Sequence, residues 1–311
     1  MLKLFQSMTE VPAGRRAIAL GTFDGVHLGH RAVIAAARRS GERLAAVTCA
    51  ATFHPRPATL LNPDVYPATL AGVTQRVRLL GEAGAEEVVL LRFNRALADL
   101  TAEAFVEQVI VEHLGAIAVT VGSDFRFGRD RSGDVALLGE LCARHGVEVE
   151  AIAIVDAHGA KISSSRIREL IDTGDVADAA TLLGRLPSVE GAVMHGDHRG
   201  REIGFPTANL SLVPGQQIPA EGVYAGWGVL PPGEQRFAAA ISVGRNPHFG
   251  DVHELRVEAH LLGYEGPDVY GLPMRIEFAD RLRAQETYDT LDALIAQIGR
   301  DVTAVAARLG V

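Results

Sequence analysis

Near its start the chain reads Ala17-Ile18-Ala19-Leu20-Gly21-Thr22-Phe23-Asp24-Gly25-Val26-His27-Leu28-Gly29-His30. The first four residues predict a short buried strand that ends at Gly21, and a helix is predicted over residues 30–39. Glycine lets a backbone approach an anion closely, and a helix N-terminus offers free N–H groups and a positive dipole end. Histidines at such a turn can hydrogen-bond phosphate oxygens and stabilise the charge that grows as a phosphoanhydride breaks. The spacing alone leaves open a second interpretation, a glycine-rich turn with incidental histidines, one of them a metal ligand.

The rest of the first half alternates strand-like and helix-like segments. Strands are predicted at 44–49, 87–91, 116–121 and 147–154, and helices at 72–83, 101–113 and 134–145. Strands that alternate with helices of about 10–15 residues indicate a parallel sheet with helices on both faces. In such α/β folds ligands bind at the carboxyl ends of the strands, which is where the turn with the two histidines lies.

The second half of the chain has a different pattern. Short alternating or β-branched segments are predicted as strands at 189–194, 222–230, 236–243, 255–262 and 273–278, and they indicate a small antiparallel barrel or sandwich. Residues 287–309 return to helical spacing, with an apolar stripe formed by Leu291, Leu294, Ile295, Ile298, Val302, Val305 and Leu309. The predicted joint is Leu183-Gly184-Arg185-Leu186-Pro187, which gives one domain over 1–184 and another over 187–311.

Composition and charge exclude several classes of protein. The formal net charge of −8 argues against a nucleic-acid partner, which would need a basic face. The only lysines are Lys3 and Lys161, and neither follows a glycine, so a Walker A loop is excluded. Two cysteines without CxxC spacing favour a reducing compartment. With no apolar run of about 18 residues and no signal peptide, we expect a soluble cytoplasmic protein without a membrane partner.

Two further segments of the first half carry candidate phosphate-binding groups. Val121-Gly122-Ser123-Asp124-Phe125-Arg126-Phe127-Gly128 follows a predicted strand, and on its own it also fits a polar turn. Ile162-Ser163-Ser164-Ser165-Arg166-Ile167-Arg168 gathers hydroxyls and an arginine at a predicted helix start. Such a cluster can clamp a phosphate, and simple capping of the helix by a serine is the alternative.

The second half contains a metal and phosphate candidate, Gly196-Asp197-His198-Arg199-Gly200-Arg201-Glu202-Ile203-Gly204-Phe205-Pro206-Thr207-Ala208-Asn209. Its glycines let backbone amides reach a phosphate, and Thr207 and Asn209 offer the hard oxygens that Mg²⁺ prefers. The glycines alone also fit a hairpin turn. Downstream, Glu258 lies on a predicted strand and shares one face with Arg256 and His260. A glutamate there can act as a general base, or it can form an exposed cross-strand ion pair.

Taken in order, these segments resemble the motifs of the prokaryotic bifunctional riboflavin kinase/FMN adenylyltransferase family, the FAD synthetases. Residues 21–30 resemble its HxGH nucleotidyltransferase signature, and residues 204–209 its G-x-P-T-A-N motif. Asp268-Val269-Tyr270-Gly271 and the segment 282–288 continue the pattern toward the C-terminus. The departures from the family pattern are His54 for an acid, Arg56 for a histidine, Ser165 for a threonine and His248 for a threonine.

The resemblance implies a Rossmann-like HxGH nucleotidyltransferase domain followed by an antiparallel β-barrel riboflavin kinase domain with a C-terminal helix. It implies that riboflavin is phosphorylated by ATP to FMN, and that FMN is then adenylylated to FAD with release of pyrophosphate, with Mg²⁺ as cofactor. The implied catalytic residues are His27, His30, Arg166 and Glu258. The implied nucleotide-binding residues are Gly21, Phe23, Asp24, Gly25, Gly29, Asp124, Ser163, Ser164, Ser165, Gly200, Gly204 and Pro206. The implied flavin-binding residues are Phe53, Pro55, Arg56, Pro57 and Phe125, and the implied metal ligands are Thr207 and Asn209.

Two other hypotheses stay open at this point. A family member with only one active half, a kinase alone, is suggested by the departures at His54, Arg56 and His248. A flavin-binding regulatory module without turnover is the other, although it is expected to lack His27, His30 or Glu258, all of which are present. The sequence leaves open whether the chain forms homo-oligomers.

Overall fold

A computed structural model describes residues 2–61, 68–153, 160–195, 199–231, 233–245 and 255–311. The chain forms two compact units, residues 1–164 and 165–311. The second unit includes the segment 165–184 because its helices bond to later residues: Gln217 Nε2 donates to Asp172 Oδ1 at 2.6 Å, and Arg281 Nη1 donates to the Thr173 carbonyl at 3.2 Å. The predicted domain boundary at 184–187 lies about 20 residues after this division. It stays a prediction of where the barrel domain begins.

The first unit is built on a six-stranded parallel sheet, which confirms the predicted α/β class. The strands are β1 (Lys3–Phe5), β2 (Arg16–Leu20), β3 (Val47–His54), β4 (Glu87–Arg92), β5 (Ala116–Gly122) and β6 (Glu148–Ile152), in the spatial order β1-β4-β3-β2-β5-β6. Every neighbouring pair is parallel. All five residues of β2 are buried, as expected for a central strand covered on both faces.

Helices of the first unit connect these strands and cover them. They are α1 (Leu28–Leu44), α2 (Pro57–Leu61), α3 (Val73–Glu82), α4 (Arg95–Ala98), α5 (Ala102–Ala104) and α6 (Val135–Ala143), with a π-helix over Phe105–His113 and 3₁₀ turns at Met8–Glu10 and Arg129–Arg131. The predicted strand start at 44 was wrong, because α1 ends later than expected. Ala45 caps it in the left-handed conformation (φ 50°, ψ 53°), without the glycine that usually marks a helix end.

The second unit contains a closed six-stranded antiparallel barrel, as predicted. Its strands are β7 (Ser188–Met194), β8 (Ala208–Leu212), β9 (Gly222–Leu230), β10 (Gln235–Arg245), β11 (Leu255–Leu261) and β12 (Pro273–Arg283), in the order β10-β11-β8-β7-β12-β9. Helices α7 (Ser164–Thr173), α8 (Val176–Leu183), α9 (Arg199–Glu202) and α10 (Leu291–Leu309) complete the elements. The sequence did not predict β1, β8 or α8, all of which are short.

The C-terminal helix α10 packs on the barrel through a narrower stripe than predicted. Val305 is fully buried with Ala225 and Ala238, whereas Leu291, assigned to the stripe, is 58% exposed in the first turn. A bidentate ion pair adds a polar anchor: Arg283 Nε and Nη2 donate to the two carboxylate oxygens of Asp301 at 3.0 and 2.7 Å. Across the described residues, no helix is long and apolar enough to cross a bilayer.

Both cysteines are buried free thiols. Burial raises the pKa of Cys49 to about 12 and that of Cys142 to about 11. Because the thiolate is the reactive species, we expect neither cysteine of the native protein to react with a thiol reagent at pH 8 within minutes. Both should react at once in strong denaturant, and a fast reaction of the native protein would contradict the packing described here.

Candidate functional site

A cavity of about 740 Å³ opens at the carboxyl ends of the parallel strands of the first unit. Leu20, Phe53 and Gly122, at or near the ends of β2, β3 and β5, form part of its wall. Its volume is in the range of small-molecule pockets. It gathers seven residues that the sequence predicted for nucleotide, flavin or catalysis: Gly21, Phe23, His30, Phe53, Pro57, Asp124 and Phe125.

The two histidines of the turn are held at the start of α1. His27 is the N-cap residue, and its Nδ1 accepts a hydrogen bond from the backbone N–H of His30 at 3.3 Å. The two rings stack with their centroids 3.6 Å apart, and Phe23 meets the His30 ring edge-on at 5.3 Å. His27 is 2% exposed, while His30 lines the cavity. A helix start with a fixed imidazole beside it is suited to binding a phosphate.

The loop between β2 and α1 is strained, and Asp24 holds it. Phe23 and Val26 have φ angles of 49° and 40°, which bulky L-residues rarely adopt, and Gly25 has 80°. The Asp24 side chain is buried. Its Oδ1 accepts from two backbone N–H groups, those of residues 70 and 71, at 3.1 and 3.4 Å, and its Oδ2 accepts from Arg56 Nη1 at 2.5 Å. Backbone strain of this kind persists where surrounding contacts over-determine it.

Arg56 forms a buried ion pair with Asp24 that was not predicted from the sequence. Arg56 was predicted to contact the flavin, and its guanidinium binds the carboxylate of Asp24, itself predicted to bind nucleotide. The flavin role of Arg56 stays a prediction. The neighbouring departure, His54, is exposed at the end of β3. Partial burial, and then the positive charge of Arg76, lowers the pKa of His54.

We expect Arg56→Met to destabilise the first unit by about 3–5 kcal/mol, because it removes one partner of a buried ion pair. The matched control is Arg38→Met, which breaks the exposed pair with Glu42 and should cost less than about 1 kcal/mol. Urea unfolding followed by circular dichroism measures both variants. Equal, small losses would show that the Asp24–Arg56 pair does not stabilise the loop.

Arg76 is a functional candidate that sequence reasoning missed. It is 2% exposed, and it donates from Nη1 to the Thr22 carbonyl at 3.1 Å and from Nη2 to the Phe53 carbonyl at 3.0 Å. It therefore ties together the two loops that carry the histidines and the predicted flavin segment. No pattern in the sequence signalled it, because a single arginine within a helix is ordinary.

Basic side chains also line the cavity next to a predicted motif. Four arginines contribute to its wall: Arg95, Arg126, Arg129 and Arg131. Arg131 and its neighbour Asp130 adopt positive φ angles of 57° and 55°, a second strained turn at the cavity. Three of these arginines lie within six residues after the strand β5, a sequence pattern that could have indicated an anion-binding surface at this point.

The other predicted residues of the first half support the cavity or lie in the segments next to it. Ser164 Oγ donates to the Asp24 carbonyl at 2.9 Å, and this hydrogen bond helps to hold the strained loop between β2 and α1. Asp124 lines the cavity and forms an exposed ion pair with Lys161 at 2.6 Å. Gly25, Gly29, Pro55 and Ser163 belong to the adjoining loops and to α1. Ser165 and Arg166 belong to the second compact unit.

The barrel places its predicted catalytic and metal residues on adjacent strands. Glu258 on β11 is the direct antiparallel partner of Asn209 on β8. Its neighbours Val257 and Ala259 are buried, so by alternation Glu258 lies on the outer face of the barrel with Asn209. Directly opposite residues have their Cβ atoms about 5 Å apart. Glu258 and Asn209 can therefore act on the same bound group.

The loop before β8 is folded tightly against α9. Phe205 N donates to the Gly200 carbonyl at 2.7 Å, and a Cβ at position 200 would lie 2.4 Å from the Phe205 carbonyl oxygen, so only glycine fits. His260 Nδ1 bonds to the Pro206 carbonyl oxygen at 2.9 Å, and Phe205 meets the His260 ring edge-on. Because a carbonyl only accepts, Nδ1 carries the proton. His260, which was predicted to share a strand face with Glu258, thus holds the loop that contains Thr207.

Part of the predicted kinase site lies outside the described residues. Residues 196–198 of the glycine-rich segment and the loop that contains His248 belong to this part. Of the predicted nucleotide-binding residues in the barrel, Gly204 has a φ of 87°, and Pro206 is bonded to His260 as described.

Comparison with known proteins identifies both halves of the chain. The family profile described as FAD synthetase matches residues 11–166, and the profile described as Riboflavin kinase matches residues 183–309. Proteins named "Bifunctional riboflavin kinase/FMN adenylyltransferase" are similar over almost the whole chain. That of Escherichia coli (strain K12) is 34% identical over 97% of this chain and 95% of its own. That of Bacillus subtilis (strain 168) is 33% identical over 91% and 89%.

A solved structure shares the fold over its full length. It is titled "Crystal Structure of Macrolide-efflux Protein from Streptococcus pneumoniae", and it matches with a TM-score of 0.86 and 30% identity over 98% of both chains. Its title describes that protein alone. Since both family profiles match in the expected order, and relatives above 30% identity cover nearly the whole length, the chain belongs to the bifunctional riboflavin kinase/FMN adenylyltransferase family.

Proposed function

We propose that this chain phosphorylates riboflavin to FMN in its barrel and adenylylates FMN to FAD in its α/β unit, consuming one ATP in each step. The observation that carries the proposal is the presence of two separately built sites in one chain. One is the cavity with His30 in its wall, and the other is the cross-strand pair of Glu258 and Asn209. Each site lies in the half that the corresponding family profile matches.

In the kinase step, Glu258 accepts the proton of the terminal ribityl hydroxyl as the oxygen attacks the γ-phosphorus of ATP. The new bond joins that oxygen to phosphorus, and the bond from the γ-phosphorus to the β,γ-bridging oxygen breaks, so ADP leaves. The position of Glu258 supports this role, because its cross-strand partner Asn209 belongs to the segment predicted to bind the phosphates.

We propose Mg²⁺ as the cofactor of this step, held with the ATP phosphates by Thr207 and Asn209. Both offer hard oxygen ligands, and Mg²⁺ in nucleotide sites needs few protein ligands. Gly200 lies next to this hydroxyl, and a Cβ there would be 3.3 Å from Thr207 Oγ1. The lack of a side chain at Gly200 therefore leaves room beside the hydroxyl. When bound, the ion would neutralise charge on the phosphates.

In the adenylyl step, a phosphate oxygen of FMN attacks the α-phosphorus of a second ATP. The bond to the α,β-bridging oxygen breaks, and pyrophosphate leaves with the electron pair. The FMN phosphate is already an anion at pH 7, so no enzyme base or covalent intermediate is needed. The chain contributes positioning and charge stabilisation, which we assign to His27 and His30 and, on the resemblance, to Arg166.

The cavity is suited to hold FMN. Phe53, Phe93 and Phe125 offer aromatic surface for the isoalloxazine ring, and the arginines of the wall offer charge for phosphates. We propose a cytoplasmic setting, where ATP is supplied and thiols stay reduced. The proposed partners are ATP, riboflavin, FMN and FAD, without nucleic acid or membrane.

The direct test is chromatography of flavins after incubation of the protein with ATP and Mg²⁺. One tube starts from riboflavin and a second from FMN. We expect FMN and then FAD in the first tube and FAD in the second. FMN without FAD in either tube would leave a kinase alone, and flavin binding without ATP consumption would indicate a regulatory module.

A further inference from the structure

A row of polar residues crosses three strands on the outer face of the barrel. Asn209 on β8 is the direct partner of Glu258 on β11, and Glu258 is the direct partner of Ser242 on β10. Val243, next to Ser242, is fully buried, so Ser242 shares the outer face with the other two. Neighbouring members of the row are therefore separated by about 5 Å, with Glu258 in the middle.

Gln285, from the segment after β12, lies beyond Ser242. Its Nε2 lies 2.8 Å from Ser242 Oγ, and it donates to the Val243 carbonyl at 3.0 Å and, more distantly, to the Gly222 carbonyl at 3.5 Å. Its side chain passes over Gly244, where a Cβ would lie 3.0 Å from Nε2. The amide of Gln285 is thus fixed on the same face of the barrel, and only Ser242 lies between it and Glu258.

These contacts decide which way the Gln285 amide faces. Backbone carbonyls only accept hydrogen bonds, so the NH₂ group must point at them. The side-chain oxygen Oε1 is then directed away from the strands. Among the described residues, none donates a hydrogen bond to it. Gln285 therefore presents a fixed acceptor to whatever binds on this face.

The order of the row sets the direction in which the kinase substrate lies. The phosphates belong at the Asn209 end, and the hydroxyl that attacks them meets Glu258. The carbon chain of the substrate must then leave Glu258 on the other side, toward Ser242. We propose that Ser242 and Gln285 form a subsite for the polyol chain of riboflavin, in which Gln285 Oε1 accepts a hydrogen bond from a secondary ribityl hydroxyl. This inference rests on the proposed kinase function.

The test compares two substrates and two variants of the full-length protein. One substrate is riboflavin, and the other is an isoalloxazine with an unbranched hydroxypentyl chain, which keeps the terminal hydroxyl and lacks the secondary ones. Gln285→Ala should lower kcat/KM for riboflavin about tenfold, the size expected for one lost hydrogen bond, and leave the analogue within about twofold. Gln235→Ala, at the far exposed end of β10, is the matched control and should change neither value.

Ser242→Ala provides a second variant, because it leaves Gln285 bonded to the Val243 carbonyl. We expect a loss of about threefold for riboflavin and none for the analogue. An unchanged circular-dichroism spectrum, together with turnover of the analogue in the same barrel, checks that each variant is folded. Equal losses on both substrates, or no loss on riboflavin, would overturn the subsite alone. A wild-type protein that phosphorylates neither flavin would overturn the proposed function together with it.

Discussion

His30→Ala should reduce FAD formation by about 10²–10³-fold while FMN formation from riboflavin continues at the wild-type rate. The imidazole of His30 lines the cavity at the N-terminus of α1 and is packed against His27 and Phe23. Removing one preorganised donor to developing phosphate charge typically costs a factor of this size. The kinase residues lie in the other compact unit, so the first step should not depend on His30.

The measurement is a time course of FMN and FAD with riboflavin as the starting flavin. In the variant, FMN should accumulate in place of FAD. His145→Ala is the matched control, since His145 is exposed after α6 and absent from the cavity wall. Parallel loss of both products would contradict independent sites, and normal FAD synthesis would remove His30 from the mechanism.

Glu258→Gln should stop phosphorylation of riboflavin and leave FAD formation from supplied FMN intact. The amide keeps the size of the side chain, but it cannot accept the hydroxyl proton. General bases contribute about 10²–10⁴-fold, so we expect kcat to fall by that factor with little change in the KM for riboflavin. That split identifies a group that acts in the transition state rather than in substrate binding.

Glu265→Gln serves as the control, because Glu265 is exposed in the turn after β11. Single-turnover rates with radiolabelled ATP would report the chemical step directly. A fully active Glu258→Gln enzyme would exclude the base role. A rise in KM alone would instead assign Glu258 to substrate binding.

The order of elements followed from sequence because each half has a regular pattern. The alternation of apolar strands with helices predicted the parallel sheet, and the short strands between glycines and prolines predicted the barrel; both are confirmed. Boundaries were less accurate where local signals were missing. Ala45 ends a helix in a conformation usually taken by glycine, so nothing in the sequence marked that end.

The candidate sites were predictable only for residues within motifs. His30 and Glu258 stand in recognisable strings, and the structure places them in a cavity wall and in a cross-strand row. Arg76 and Gln285 contact the same sites through backbone carbonyls. Contacts of that kind depend on tertiary arrangement and leave no periodic signal. The roles of the predicted site residues themselves stay predictions until the variants are measured.

Free strand edges make sheet proteins liable to pair with one another and aggregate. Among the described strands of the second unit the barrel has none, because each of them is bonded on both sides. Within the described part of the first unit, the parallel sheet ends at β1 and β6. The strand β1 is three residues long, and β6 carries Glu148 and Glu150, which pair with Arg43 and Arg39 of α1. Short length and charge at these edges disfavour intermolecular β-pairing of the folded protein at high concentration.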